Sequence, residues 1–329
     1  MGFTRRDLLS GAAALAVAGA AASVRAQGRD PSWPRSLTLG TASVGGTYAV
    51  YGQAWASLVG DKIGVPISTQ QTQGPNQNIL LLQNKEIDLG MTTMGVALQA
   101  WNGEGDWTRG TKMRDIRALF PMYDTPFQIV TLKKSGITSV QQLAGKRVGV
   151  GPRAGTPGTY YPLMFQALGV PVTIRNGQGS DMASQLADGL IDAYAFAAGL
   201  PVASFSEIEA TNPVNFFTFT ADEIEKLRKA FPEFSPAVIP AGTYRTQSDS
   251  QQTVGLFNFA VAHRELPESL AFAVVKAVHE NQDAMIRGHA AAKESVPENV
   301  TKNTFLPFHA GAARYYKERG LSIPASLIG

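Results

Sequence analysis

The sequence predicts an α/β protein of two halves, and three features predict it. Short apolar segments alternate with helical ones along most of its 329 residues, the pattern of parallel strands with helices on both faces. In each half a glycine-rich turn, at residues 43–47 and 149–159, stands between a strand and a helix. Two further apolar segments, 127–133 and 253–262, are placed to carry the chain between the halves.

The first turn follows a change of period. Leu37, Leu39 and Thr41 alternate as in a short strand, after which Tyr48, Tyr51, Trp55 and Leu58 or Val59 recur at helical spacing. Such a turn leaves the first backbone N–H groups of the helix without acceptors and aims the positive end of its dipole at the same point. Gly45 and Gly46 let the backbone approach a ligand, with Gly46 expected either against a carboxylate or at a positive φ, so an anion fits without a lysine. The competing reading is that the glycines turn the chain and Ser43 or Thr47 caps the helix. A strand at 65–71, a helix at 76–83 and a buried strand at 87–93 entering a helix at 94–101 complete a β-α-β-α-β series. Thr92 and Thr93 fall at the carboxyl edge of that strand, where ligands lie in open α/β sheets, or else cap the next helix.

After a polar stretch at 103–113, two strands are expected at 116–123 and 127–133, with Asp124-Thr125-Pro126 as a crossing between them. A second series then runs through a short helix at 137–143, a strand at 146–150, a helix at 160–168, a strand at 172–175, a helix at 182–190 and a strand at 191–197. Segments 214–220, 221–230 and 237–239 extend it, and 253–262 returns the chain as the partner of 127–133. From Pro267 on the chain reads as mostly helical. The expected lobes are 36–124 plus 260–329 and 125–259, hinged near Thr125 and Phe259, with a cleft between them.

Ahead of these lobes, residues 1–26 read as an export signal. Arg5 and Arg6 with Leu8 and Leu9 look like a twin-arginine signal, and Val24-Arg25-Ala26 offers a cleavage site, so a periplasmic location follows. Removing that segment leaves 26 basic and 25 acidic side chains, so the net charge drops from +3 to +1. With neither a basic cluster nor an aromatic stripe, nucleic acid and anionic membranes are poor partners, and a small solute is the better one. The sequence has no cysteine, which excludes disulfides, thiolate metal sites and a cysteine nucleophile.

The second turn contains the spacing G-x-G-x-x-A at 149–154, but its first glycine lies within the strand, Pro152 lacks a donor, and Arg175-Asn176 stands where an acidic residue would hold a ribose. Two facing helix starts with Arg153 beside one of them instead describe a clamp for a carboxylate. There is no G-x-S-x-G, H-E-x-x-H or phosphate loop, and His263, His279, His289 and His309 lie away from both turns without metal-ligand spacing, as surface or capping residues. No enzyme activity, cofactor or metal is expected.

The Gly-Thr-Ala-Ser-Val-Gly-Gly-Thr-Tyr stretch at 40–48 resembles the signature of the TAXI family, solute-binding subunits of tripartite ATP-independent periplasmic (TRAP) transporters. So do Ile87-Asp88-Leu89-Gly90, residues 143–151, residues 188–193 with Gly199-Leu200-Pro201, and residues 308–312 with Tyr315-Tyr316. The resemblance implies a type II periplasmic-binding-protein fold that captures a small organic acid or amino acid as a monomer and delivers it to membrane permease subunits. It places Ser43, Gly45, Gly46, Thr47, Tyr48, Thr92, Thr93, Gly155 and Thr156 at the ligand, to which Tyr123, Arg153, Thr159 and Gly199 are added as candidates. One departure is that 154–159 reads Ala-Gly-Thr-Pro-Gly-Thr where many members have G-S-G-T, which leaves Thr156 and Thr159 as alternatives. A binding protein for an ATP-driven importer, an exported hydrolase or isomerase, and a sensor's ligand-binding partner are the other readings.

Overall fold

The helix that follows the first glycine-rich turn, α1 (Thr47–Ile63), turns Tyr48, Tyr51, Trp55 and Val59 onto one buried face at helical spacing. It ends where Gly64 takes the left-handed conformation and its N–H bonds to Gly60 C=O, beside Lys62 in the last turn. This helix sits early in a computed structural model that describes residues 30–329; the export signal expected at 1–26 lies outside the described residues.

The remaining elements of the first half are β1 (Leu37–Gly40), β2 (Ile67–Gln70), α2 (Pro75–Gln83), β3 (Leu89–Thr93) and α3 (Met94–Asn102). The long β4 (Ile116–Leu132) leads into β5 (Arg147–Gly149), α4 (Thr156–Leu168), β6 (Thr173–Arg175), α5 (Gly179–Ala187), β7 (Ala193–Ala197), α6 (Ala203–Thr211), β8 (Val214–Phe217), α7 (Ala221–Ala230) and β9 (Ser235–Ile239). The chain finishes with β10 (Gln251–His263), α8 (Glu268–His279), α9 (Gln282–Gly288) and α10 (Ala310–Glu318). Among the described residues, no helix is long and apolar enough to cross a membrane.

The two halves repeat one topology. The strands run β2-β1-β3-β10-β4-β7-β5-β6, so each half sets three parallel strands, with the first in sequence at their centre, against one long antiparallel strand. Each central strand feeds a glycine-capped helix, β1 into α1 and β5 into α4. The loops that leave the carboxyl ends of both triplets therefore gather on one side. The second half's core packs Val130, Met182, Leu186, Tyr194, Phe205 and Tyr244 together.

The strand expectations need two corrections. Residues 116–132 form one continuous strand instead of two, because proline fits an extended backbone: Pro126 pairs in register with Gly255, and the β10 register slips only further on, between Phe257 opposite Asp124 and Phe259 opposite Pro121. The partner of β10 is accordingly residues 116–126, while 127–132 pairs with β7 and β8. Among the helices, α4 begins at Thr156 instead of 160, since Pro157 occupies its first turn, and 137–143 holds only a 3-10 turn at Gln141–Leu143.

Candidate functional site

Five carboxyl-terminal strand ends surround one cavity. Ala42 and Ser43 follow β1, Gln73 and Gly74 follow β2, Thr93 ends β3, Pro152 lies just beyond β5, and Phe196 to Ala198 run off β7. Thr125 of β4 and Asn258 of β10 form its floor, and the atom-free space is about 400 Å3, part of it open to solvent. Among the described residues, no charged side chain lines it.

Four helices begin at this cavity. The residues before them, Gly46, Gly74, Thr93 and Gly155, all line it, and none carries a side-chain cap. Gly46 (φ −97°, ψ 162°) and Gly155 (φ −104°, ψ 160°) share one conformation, as the repeated topology requires. The N–H groups of Thr47, Tyr48 and Thr156 have no acceptor among the described residues, so they and the positive ends of the dipoles are directed at the cavity. Capping by Ser43 or Thr47 is thus set aside, and Thr93 precedes α3 without capping it through its side chain.

Hydroxyl donors complete the lining. Ser43 is 2% exposed and its hydroxyl has no hydrogen-bond partner among the described residues. Thr93 Oγ1 and Thr156 Oγ1 lie 3.1 Å apart; one donates to the other, which leaves one of the two hydroxyl hydrogens unused. On the floor, Asn258 Nδ2 donates to Tyr123 C=O and Thr125 Oγ1, each at 2.6 Å, while Tyr48 Oη donates to Asn258 Oδ1 at 2.6 Å. Burial pushes the Tyr48 and Tyr123 phenols well up, so both stay neutral donors.

Of the sequence-predicted residues, Ser43, Gly46, Thr47, Tyr48, Thr93, Gly155 and Thr156 line the cavity. Gly45 lies beside it and holds the positive φ (+87°) expected of Gly46. The hydroxyl of Thr92 donates to Thr93 C=O, and Tyr123 packs edge-on against Tyr48 and Tyr51 behind the floor. Arg153 is exposed and outside the lining; Thr159 Oγ1 donates back to Gly155 C=O; Gly199 C=O accepts from Thr47 Oγ1 at 2.5 Å. Among the lining residues that the sequence does not single out are Gly74, Phe196 and Asn258. The Gly-Pro pair at 74–75 and a lone Asn inside the apolar strand at 253–262 are the signals that point to the first and third. Two histidines are helix caps, the side chains of His289 and His309 accepting from Ala291 and Gly311 N–H, while His263 accepts from Glu265 N–H in the turn after β10; His263 and His309 are buried.

The cleft is shut by direct bonds between its two sides. Ser180 N–H donates to Val44 C=O (3.2 Å), Ser204 N–H to Gly45 C=O (3.1 Å) and Asn76 N–H to Ala154 C=O (3.3 Å).

Two α/β halves joined by two long strands, with a cleft at their carboxyl edges, make this a type II periplasmic-binding-protein fold. The chain belongs to the NMT1-like family, whose model matches residues 39–320. Among solved structures it is similar to MatC from Rhodopseudomonas palustris with bound malate, at 14% identity and a TM-score of 0.56 over 82% of this chain and 92% of that one. It is also similar to a putative L-cystine ABC transporter protein from Listeria monocytogenes, at 14% identity and a TM-score of 0.50 over 80% of this chain and 96% of that one.

Proposed function

We propose that this protein is an extracytoplasmic solute-binding protein for a small organic anion. The observation that carries the reading is the meeting of uncapped helix starts at Gly46 and Gly155, one from each half, in a cavity with hydroxyl donors and no charged side chain. Backbone N–H groups and helix dipoles there supply what an anion needs, without a cationic partner. The lobes are taken as 36–124 plus 260–329 and 125–259, closing on the ligand about β4 and β10 near Thr125 and Phe259. Delivery is to the permease of a TRAP-type transporter, after export through the signal at 1–26, and the protein is not an enzyme. The ABC transporter name of the Listeria relative favours a second reading, a partner for an ATP-driven importer.

Calorimetry against dicarboxylates, keto acids and acidic amino acids tests the site, with small-angle scattering as a test of closure. Tight binding of one anion, with a smaller radius of gyration at saturation than in an open ligand-free state, is expected. Tight binding confined to neutral or cationic solutes sinks the reading.

A further inference from the structure

Resting on the anion reading above, we infer that the ligand bears no ammonium group: it is an unsubstituted, hydroxy or keto acid and not an amino acid. Three observations lead there. The cavity has no carboxylate to pair with an ammonium. Asp124 is adjacent in sequence to Thr125 of the floor, but successive strand residues face opposite ways. Its carboxylate accepts Thr125 N–H and lies against Gly255, and its own N–H donates to Glu294, so it belongs to the far face of the sheet.

The second observation is the sign of the field. Four helix N-termini open on this space, each worth roughly half a positive charge, so a cation entering it meets repulsion from all four. The third is the balance of donors over acceptors. Ser43 offers an unpartnered hydroxyl on a buried side chain and the Thr93–Thr156 pair an unused hydrogen, whereas the side-chain acceptor on the floor, Asn258 Oδ1, is already engaged by Tyr48. An ammonium needs acceptors for its hydrogens, and burying it without them is costly. A carboxylate, hydroxyl or keto oxygen needs donors, which the N–H groups of Thr47, Tyr48 and Thr156 and the Ser43 hydroxyl supply.

The test uses matched pairs on the purified protein by calorimetry: succinate against aspartate, and glutarate and 2-oxoglutarate against glutamate. In at least one pair the member without nitrogen binds 10-fold or more tightly than its amino counterpart. Raising the pH through the titration of the amino group should narrow that gap by strengthening the amino acid, while the nitrogen-free control stays put. An amino acid that binds as tightly as its partner at neutral pH overturns the inference but leaves the anion reading standing. Binding of a neutral solute alone, with neither series measurable, removes both.

Discussion

If the proposed closure occurs, Gly45 and not the neighbouring glycine in the cavity wall governs it, and replacing Gly45 measures how much the shut state depends on backbone contacts. Its φ of +87° suits glycine, and a Cβ built there falls 2.6 Å from Ser180 N and 3.0 Å from Gly179 C. Both are backbone atoms at the start of α5, so the helix must withdraw and the bonds from Ser180 to Val44 and from Ser204 to Gly45 lengthen or break. At about 0.5–1.5 kcal/mol for each bond, Gly45→Ala disfavours closure by roughly 1–3 kcal/mol. Apparent affinity follows the population of the closed form, so binding of the best anion should weaken about 5- to 150-fold. The φ strain adds about 1–2 kcal/mol but burdens open and closed forms alike, and is read in the melting temperature. At Gly46, φ is −97° and an added Cβ meets Phe196 and Ser43 no closer than 3.4 Å, so Gly46→Ala should stay within about 3-fold of the parent. Calorimetry on both variants, with thermal melts to confirm folding, decides the matter. Equal losses at 45 and 46, or no loss at 45, refute the reasoning.

Two further outcomes follow from the site and one from the crossing strand. Arg153→Ala should leave anion affinity within about 3-fold, because the guanidinium is exposed and outside the lining, and a larger loss would restore it as a ligand. Ser43→Ala should weaken binding about 10- to 100-fold if its free hydroxyl donates to a carboxylate, and an unchanged isotherm would remove it from the site. Burial pushes the Asp124 carboxyl from 3.8 up to about 6, with Glu294 adding to the rise. A carboxyl raised in the folded state holds its proton there more tightly, so its contribution to stability declines as pH climbs from 3.8 through about 6. Denaturant melts of the parent and Asp124→Asn should therefore show the variant gaining on the parent by about 2–3 kcal/mol between pH 4 and 7; parallel pH profiles would contradict this.

The first glycine-rich turn was legible because its signals are local. The switch from the spacing of Leu37, Leu39 and Thr41 to that of Tyr48, Tyr51, Trp55 and Val59 fixes both elements within about two turns of chain. Thr93 was placed by the same means, at the end of a short apolar run before a helix. Asn258 was not, because what makes it part of the floor is its pairing with Thr125, 133 residues away in sequence. Phe196 likewise enters the cavity only once β7 is set beside β4. The exchange of roles between Gly45 and Gly46 has a similar cause: which of two adjacent glycines takes a positive φ depends on α5 and α6, whose first turns the loop carbonyls meet. Arg153 drew attention by its charge, yet the direction of an exposed loop side chain is set by loop geometry that its neighbours in sequence do not specify.

On the proposed anion reading, the repeat would let an uncharged site couple binding to closure. Bringing α1 and α4 together places two positive dipole ends on either side of the same space; half a charge on each, held about 6 Å apart at an effective dielectric of about 20, would repel by roughly 0.7 kcal/mol. A carboxylate about 4 Å from each end gains roughly 2 kcal/mol from each, and only the closed form lets it reach both at once. On that reading the empty cleft would carry a small electrostatic bias against closing, and the anion would reverse its sign. An arginine on one lobe would hold the anion nearly as well in the open form as in the closed one. Two weak, fixed half-charges on opposite lobes tie most of the attraction to closure itself, which is the state a partner must distinguish from the empty one.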